Sequence, residues 1–301
     1  MSASVAAWIS HRAGKWVQAL HCADRECNAS RSLWTRLCWP QNGIRLRGTW
    51  YCRPQCFEKA VREELQRARV ARWRPAAHRI PVGLLLLSRG QLTDLQLRRA
   101  LDAQREAGFG RLGDWLKRFG FLTQAQLTVA LGLQWACPVL FEPFAPDAAC
   151  SGLVPLALLQ HFQMIPVRFN LANSTLYLAF AQALDYSALH AIEQMLACRT
   201  EACLASPEVV ERELQRIAAH ANAGVGLVFT GEREVSELAN IVSGYALKLA
   251  AEDVRIVSCG DLIWTRLQTR KGATSLLFPR FGLLPAEAFP NSRTTLLQKG
   301  G

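Results

Sequence analysis

Between Pro81 and Gln134 the chain carries one unit twice. Residues Pro81–Gln104 align onto Arg111–Gln134 at a shift of 30 positions. Ten of the 24 positions are identical: Gly83/Gly113, Leu86/Leu116, Gly90/Gly120, Leu92/Leu122, Thr93/Thr123, Gln96/Gln126, Leu97/Leu127, Ala100/Ala130, Leu101/Leu131 and Gln104/Gln134. A fixed-period repeat constrains architecture more than any single motif does. Each copy reads as a short helix, a glycine stop and a second, capped helix. Thr93 and Thr123 are N-cap candidates, and the glutamine three residues on completes a capping box in both copies. Leu97 and Leu101 share one helix face through their i, i+4 spacing, as do Leu127 and Leu131. Spacing alone predicts a helical hairpin duplicated to build a core.

The second copy reads Arg111-Leu112-Gly113-x-x-Leu116-x-x-x-Gly120, followed by Leu127, Leu131 and Gln134. This resembles the RLGxxLxxxGxxxxxxLxxxLxxQ motif of the MshEN-type domain, the amino-terminal part of many type II secretion and type IV pilus assembly ATPases. In that family the motif occurs twice in tandem and the pair binds cyclic di-GMP. The resemblance implies a ligand site built from Arg111, Leu112, Gly113, Leu116, Gly120, Leu127, Leu131 and Gln134. The first copy would add Gly83, Leu86, Gly90, Leu97, Leu101 and Gln104. It departs from the motif at its start, where Pro81 and Val82 stand in place of Arg-Leu. The spacer Arg105–Gly110 is one residue longer than is usual in the family.

The residue types suit an anionic dinucleotide with flat bases. Glycine lets backbone approach a ligand closely. Arginine offers a planar fork to a guanine edge or a phosphate and stacks on a base. Leucines supply an apolar floor, and glutamine carries a donor and an acceptor together. Pro81 does none of the arginine's work and lacks an N–H. Arg79, two residues earlier, is the candidate replacement. The competing reading is a degenerate family fold kept for protein contacts.

The net charge of +11 is unevenly placed. Residues 1–80 hold 15 Lys+Arg against 5 Asp+Glu, leaving 20 against 19 for the rest. Six of the nine Trp also lie in the first 80 residues, which marks that segment as a distinct module. Basic residues with interleaved aromatics suit a nucleic acid or an acidic protein face. A small basic domain without such a role has the same composition. Five of the ten Cys fall in residues 1–57, four of them as two close pairs, Cys22-x4-Cys27 and Cys52-x3-Cys56. In a cytosolic chain such pairs suggest metal more than disulfide, and zinc takes four S or N ligands in a tetrahedron. The second pair stands directly before a helix-like run, Phe57–Arg69, like the ligand knuckle of a treble-clef zinc module. Cys38, His21 and His11 are alternative ligands. A small apolar core would also accommodate buried cysteines. Cys137, Cys150, Cys198, Cys203 and Cys259 lack ligand spacing and read as small core residues.

The remaining chain alternates helix and strand. Trp135–Leu140 reads as a short strand or extended turn and Phe141–Ser151 as loop. A helix follows Leu153-Val154-Pro155, then strands Met164–Asn170 and Thr175–Ala181. A helix from Asp185, a strand Thr200–Ala205 and a helix Pro207–Ala221 complete the series. This order resembles the second half of the same ATPase domain, so the resemblance covers about residues 80–220. Ala221–Gly231 reads as a linker and Val235–Ala251 as a helix. Asp253–Ser258 and Leu262–Gln268 read as strands about a Cys259-Gly260-Asp261 turn. Leu276-Leu277-Phe278 is a candidate third strand, and the tail from Pro290 is expected to be disordered.

The expected architecture is α+β: a tandem helical-hairpin repeat plus a small α/β subdomain, preceded by a small Cys-rich zinc-like module. The expected domains are 1–78, the zinc-like module with its helix; 79–221, the MshEN-type domain (repeat 79–140, α-β-β-α-β-α 141–221); and 222–301, a small α+β region. No apolar run approaches the length of a membrane span, and the amino terminus lacks a signal-peptide pattern, so a cytoplasmic chain is expected. A motor of the resembled kind needs a GxxxxGK[ST] phosphate loop. Arg270-Lys271-Gly272-Ala273-Thr274 has the wrong order for one. The sequence therefore points to a non-enzymatic adaptor that binds cyclic di-GMP and serves a secretion or pilus assembly protein. A nucleic-acid-binding module acting through residues 1–80 and a ligand-free scaffold are the alternatives.

Overall fold

The structure, a computed structural model, describes residues 22–27, 43–71, 79–220, 226–231 and 233–280. The repeat folds as two helical hairpins. Helices α2 (Val82–Ser88) and α3 (Asp94–Ala107) form the first, α4 (Leu112–Arg118) and α5 (Gln124–Trp135) the second; α1 (Pro54–Val70) precedes them. Both capping boxes close. The Thr93 hydroxyl accepts from Gln96 N and the Gln96 side chain accepts from Thr93 N, and Thr123 and Gln126 repeat the pattern. Gly90 (φ 68°) and Gly120 (φ 70°) end the short helices in the left-handed region, where a Cβ is penalised.

The two copies pack through equivalent positions. Leu86, Leu92 and Ala100 meet Leu116, Leu122 and Ala130 in one small core. Gly83 and Gly113 let each short helix close on its longer partner. A Cβ at Gly83 would stand 2.8 Å from Leu97 Cδ1, and one at Gly113 2.8 Å from Leu127 Cδ2.

An α/β unit follows. It runs α6 (Leu156–His161), β3 (Met164–Asn170), β4 (Thr175–Phe180), α7 (Tyr186–Leu196), β5 (Arg199–Leu204) and α8 (Pro207–His220). Its sheet has the order β3-β4-β5, with β3 antiparallel and β5 parallel to the central strand. Asp185 caps α7 by accepting from Ser187 N and Ala188 N. The extended turn expected after the repeat adds a parallel bridge, Val139 to Leu204.

The last unit is a six-stranded sheet of order β2-β1-β7-β8-β9-β6. Its strands are β1 (Ile44–Leu46), β2 (Thr49–Tyr51), β6 (Leu227–Val228), β7 (Asp253–Cys259), β8 (Leu262–Thr269) and β9 (Gly272–Pro279), with α9 (Val235–Lys248) between β6 and β7. Strand β1 runs parallel to β7, pairing Arg45 with Asp253 and Leu46 with Val254. Segments more than 200 residues apart thus share one sheet. One face carries Phe57, Val61 and Leu65 of α1 and Val242 and Ala246 of α9 against Ile256, Ile263 and Phe278. The other face turns Val257, Leu262, Trp264 and Leu277 into the core of the α/β unit.

Three strands differ from the sequence expectation. The reading placed none in the cysteine-rich segment and read 221–231 as a linker, yet β1, β2 and β6 form. Two or three residues carry no readable alternation; β1 forms by pairing with β7, β2 by pairing with β1 and β6 by pairing with β9. The expected third strand, Leu276–Phe278, is the inner part of an eight-residue strand. Its polar start is held extended by the two-residue turn that pairs Thr269 with Gly272. Cys259 closes β7 at 1% exposure rather than sitting in the turn. The tail from Pro290 lies outside the described residues.

Where α6 ends, His161 Nε2 lies 2.8 Å from Asp261 Oδ1 in the β7–β8 turn. The hydrogen bond from His161 holds the Asp261 carboxyl below its ordinary value. A carboxyl lowered on folding stabilises above its unfolded value, about 3.9, and that stability is lost as pH falls through the lower folded value. Asp261 is half exposed, so the pair is screened. Asp261→Asn should cost up to about 1 kcal/mol at pH 6–7, with the difference from wild type closing below about pH 4 in urea melts. Gly120→Ala should cost about 1 kcal/mol and Gly120→Asn less, read as shifts in thermal midpoint.

Candidate functional site

The motif residues divide by burial. Leu86 and Leu116 have no exposure and belong to the repeat core, and the nearly buried Leu97 and Leu127 cover Gly83 and Gly113. Gly83 and Gly113 are buried beneath the same leucines, while Gly90 and Gly120 sit exposed in the hairpin turns. Leu101, Leu112 and Leu131 are half-buried; Leu131 packs against the α/β core and Leu112 against the repeat core. The two glutamines lace the copies together. Gln104 Nε2 donates to Gly110 O, just before the second copy, and Gln134 Nε2 donates to Ile80 O, just before the first, both at 2.8 Å. Each amide fixes the entry to a short helix, a role no residue count could reveal.

The exposed arginine of the motif points across the seam. Arg111 Nη1 donates to Gln182 Oε1, in the segment between β4 and α7. Arg79 stands between the end of α5 and the start of α7. Its guanidinium lies 3.3 Å from the centre of the Trp135 ring and 5.7 Å from that of Tyr186. Trp135 and Tyr186 are 6.2 Å apart between ring centres. Two guanidinium forks and two aromatic rings therefore border residues 182–186. Such a seam can take phosphate on the forks and a flat base against a ring or a guanidinium plane. Sequence reading missed Trp135, Gln182 and Tyr186. Only Trp135 left a trace, as the residue directly after the motif's last glutamine.

A second constellation lies in the amino-terminal segment. Cys22 and Cys27 come from one loop, Cys52 from the end of the β1–β2 hairpin and Cys56 from the first turn of α1. Their four sulfurs lie within 4.8 Å of one another and can hold a metal ion. Burial, and then hydrogen bonds with Cys27 and Cys22, push the Cys52 thiol up to about 12; burial also leads in raising Cys56, helped by Asp24. Cys38, His21 and His11, the alternative ligands, lie outside the described residues. The five scattered cysteines are free, all buried except half-buried Cys137. Burial raises the thiols of Cys198 and Cys203 to about 12, as befits inert core residues.

A separate cavity of about 410 Å³ opens between α1, α7 and β7, with Arg47, Glu64, Arg67, His190 and Arg280 on its walls. Glu64 pairs with both Arg47 and Arg67, so much of that charge is already neutralised.

The family model of the MshEN domain matches residues 131–224. That span runs from the end of α5 through the α/β unit. Among solved structures the chain is similar to MshE solved with cyclic di-GMP, at 28% identity and a TM-score of 0.41, covering 46% of this chain and 99% of that one. It is also similar to the N-terminal domain of XpsE in two crystal forms. One match has 21% identity and a TM-score of 0.36, covering 48% and 98% of the two chains; the other has 20% and 0.28, covering 47% and 99%. No curated protein matches the chain.

Arg79 and Arg111 hold the seam from partly or fully exposed positions, so they contribute little to folding. Arg79→Ala and Arg111→Ala should each shift stability by no more than about 1 kcal/mol in urea unfolding. Leu116→Ala, in the repeat core, should cost about 2–5 kcal/mol.

Proposed function

We propose that this chain is a non-enzymatic, cytoplasmic adaptor that binds cyclic di-GMP across the seam between the tandem repeat and the α/β unit. The observation that carries the reading is the convergence of Arg111 and Arg79 on residues 182–186, beside Trp135 and Tyr186. Arg111 belongs to the copy that keeps the whole motif. Arg79 supplies the charge that Pro81 removes from the other copy. The phosphates would face the guanidinium forks, with a guanine against the aromatic pair. Ligand would compete with Gln182 for Arg111 and so bias how the repeat is held against the α/β unit. That bias is the signal presented to a partner in a secretion or pilus assembly machine. The cofactor in this reading is a structural zinc ion at Cys22, Cys27, Cys52 and Cys56.

Calorimetric titration of the full chain with cyclic di-GMP tests the reading. We expect saturable binding that Arg111→Ala and Arg79→Ala each weaken by about tenfold or more. Absence of heat together with an unchanged melting temperature at high ligand would reject it and leave the repeat a structural device. The protein should release no phosphate from ATP above the buffer rate.

A further inference from the structure

The four cysteines sit where three separate stretches of backbone must meet. The loop from Cys22 to Cys27 turns tightly: Cys27 N donates to Asp24 O at 3.1 Å and Glu26 N to Asp24 Oδ1 at 3.2 Å. Ala23 N donates to Trp50 O at 3.1 Å, which seats the loop on β2. Cys52 N donates to Cys22 Sγ at 3.5 Å, and the Cys27 and Cys52 sulfurs are 3.4 Å apart. Cys56 lies in the first turn of α1, after Pro54.

Zinc–sulfur bonds of about 2.3 Å in a tetrahedron place the sulfurs roughly 3.8 Å from one another. The observed cluster, with every sulfur within 4.8 Å of the others, matches that size. Four thiolates around one zinc leave a doubly negative complex. The structure supplies the compensating charge. The amino-terminal end of α1 carries the positive end of the helix dipole. Lys59, one turn further along, pairs with Asp24 at 3.5 Å and Glu26 at 2.6 Å, and so offsets the carboxylates that stand beside the ligands. All four positions being thiolate, no coordination site stays open for substrate, so the role is structural.

We infer that Cys22, Cys27, Cys52 and Cys56 form a closed tetrathiolate zinc site, and that this ion is the clamp that joins the amino-terminal segment to the carboxy-terminal sheet. The inference deepens the zinc assignment above and is independent of the dinucleotide. Its second half follows from size. Strands β1 and β2 have three residues each, and only Arg45 and Leu46 pair with β7, so few ladder bonds hold the hairpin to the sheet. Zinc fixes the hairpin's exit at Cys52 to the start of α1 at Cys56. Helix α1 packs on β7 and α9, so the hairpin is held in register with β7.

Elemental analysis of the full chain, grown and purified without metal affinity, should find one zinc per chain. Cobalt exchanged into the site should show the absorption of a tetrahedral S4 complex. Cys27→Ser should lose the metal, and Cys150→Ser should keep it. Lys59→Ala, which leaves Asp24 and Glu26 unpaired beside the thiolates, should lower zinc affinity about tenfold. Should Cys27→Ser fail to fold, thiol counting on the wild-type chain decides: four thiols protected until chelator is added support the site. No stoichiometric zinc or cobalt, or a Cys27–Cys52 disulfide by mass spectrometry, would overturn it. For the clamp, chelation should raise amide exchange in Ile44–Tyr51 and Asp253–Cys259 while leaving α3 and α5 protected and cyclic di-GMP titration unchanged. Faster exchange confined to residues 22–27 would overturn the clamp and leave only a local metal site.

Discussion

Strand β8 has almost no side turned to water, and the rest of the molecule is arranged to keep it so. Leu262, Ile263, Trp264, Thr265 and Leu267 are all at zero exposure. Ile263 and Leu267 go down onto α1 and α9, and Leu262 and Trp264 go up into the α/β core. A strand covered on both faces needs a layer on each, and here the layers come from distant parts of the chain. One comes from the cysteine-rich segment that carries α1. The other is the unit that lies between the repeat and the linker. Each fully buried large side chain contributes roughly 1.5–3 kcal/mol, so this shared sheet outweighs any single polar contact in holding the units together. Polar contacts reinforce the join: Arg255 donates to Gln194 O and Met195 O, and Arg266 to Leu153 O.

The repeat is a smaller solution to a similar problem. Neither hairpin buries enough by itself, and each borrows its covering from its copy. Equivalent residues therefore meet equivalent residues, and the glutamine that ends each copy holds the backbone that begins the other. Such packing uses up most of the motif's leucines, and the first glycine of each copy, internally. What it leaves outward are Arg111, Arg79 and the ring of Trp135, and these face the neighbouring unit. A domain that keeps its recognition groups at a joint can couple occupancy to the geometry of that joint.

Much of the local structure was legible before any coordinates. The two capping boxes, the Asp185 cap and the β3, β4 and β5 strands all follow from short-range chemistry: a hydroxyl three residues from a glutamine, a carboxylate before an amphipathic run, alternation between turn residues. Sequence spacing also singled out the four clustered cysteines, because thiol pairs at short separation before a helix have few other uses. Arg79 was legible only as a candidate, named for its nearness to Pro81; its stacking on Trp135 depends on how α5 ends, with Ala136 in the left-handed region.

What the sequence determined by itself is whatever depends on neighbours a few positions apart: the helices and their caps, the duplicated hairpin, the paired thiols, the full motif of the second copy. What only the tertiary structure decided is which faces meet. Nothing in Ile44–Leu46 announces a strand, and nothing in residues 44–71 announces that they complete a sheet begun at Asp253. The burial that makes them do so is a sum over contacts from both ends of the chain, and non-directional apolar contact leaves no local pattern from which its partner can be read. The same holds for the seam. Residues 79, 111, 135, 182 and 186 share no spacing, and they become one surface only because the repeat docks where it does.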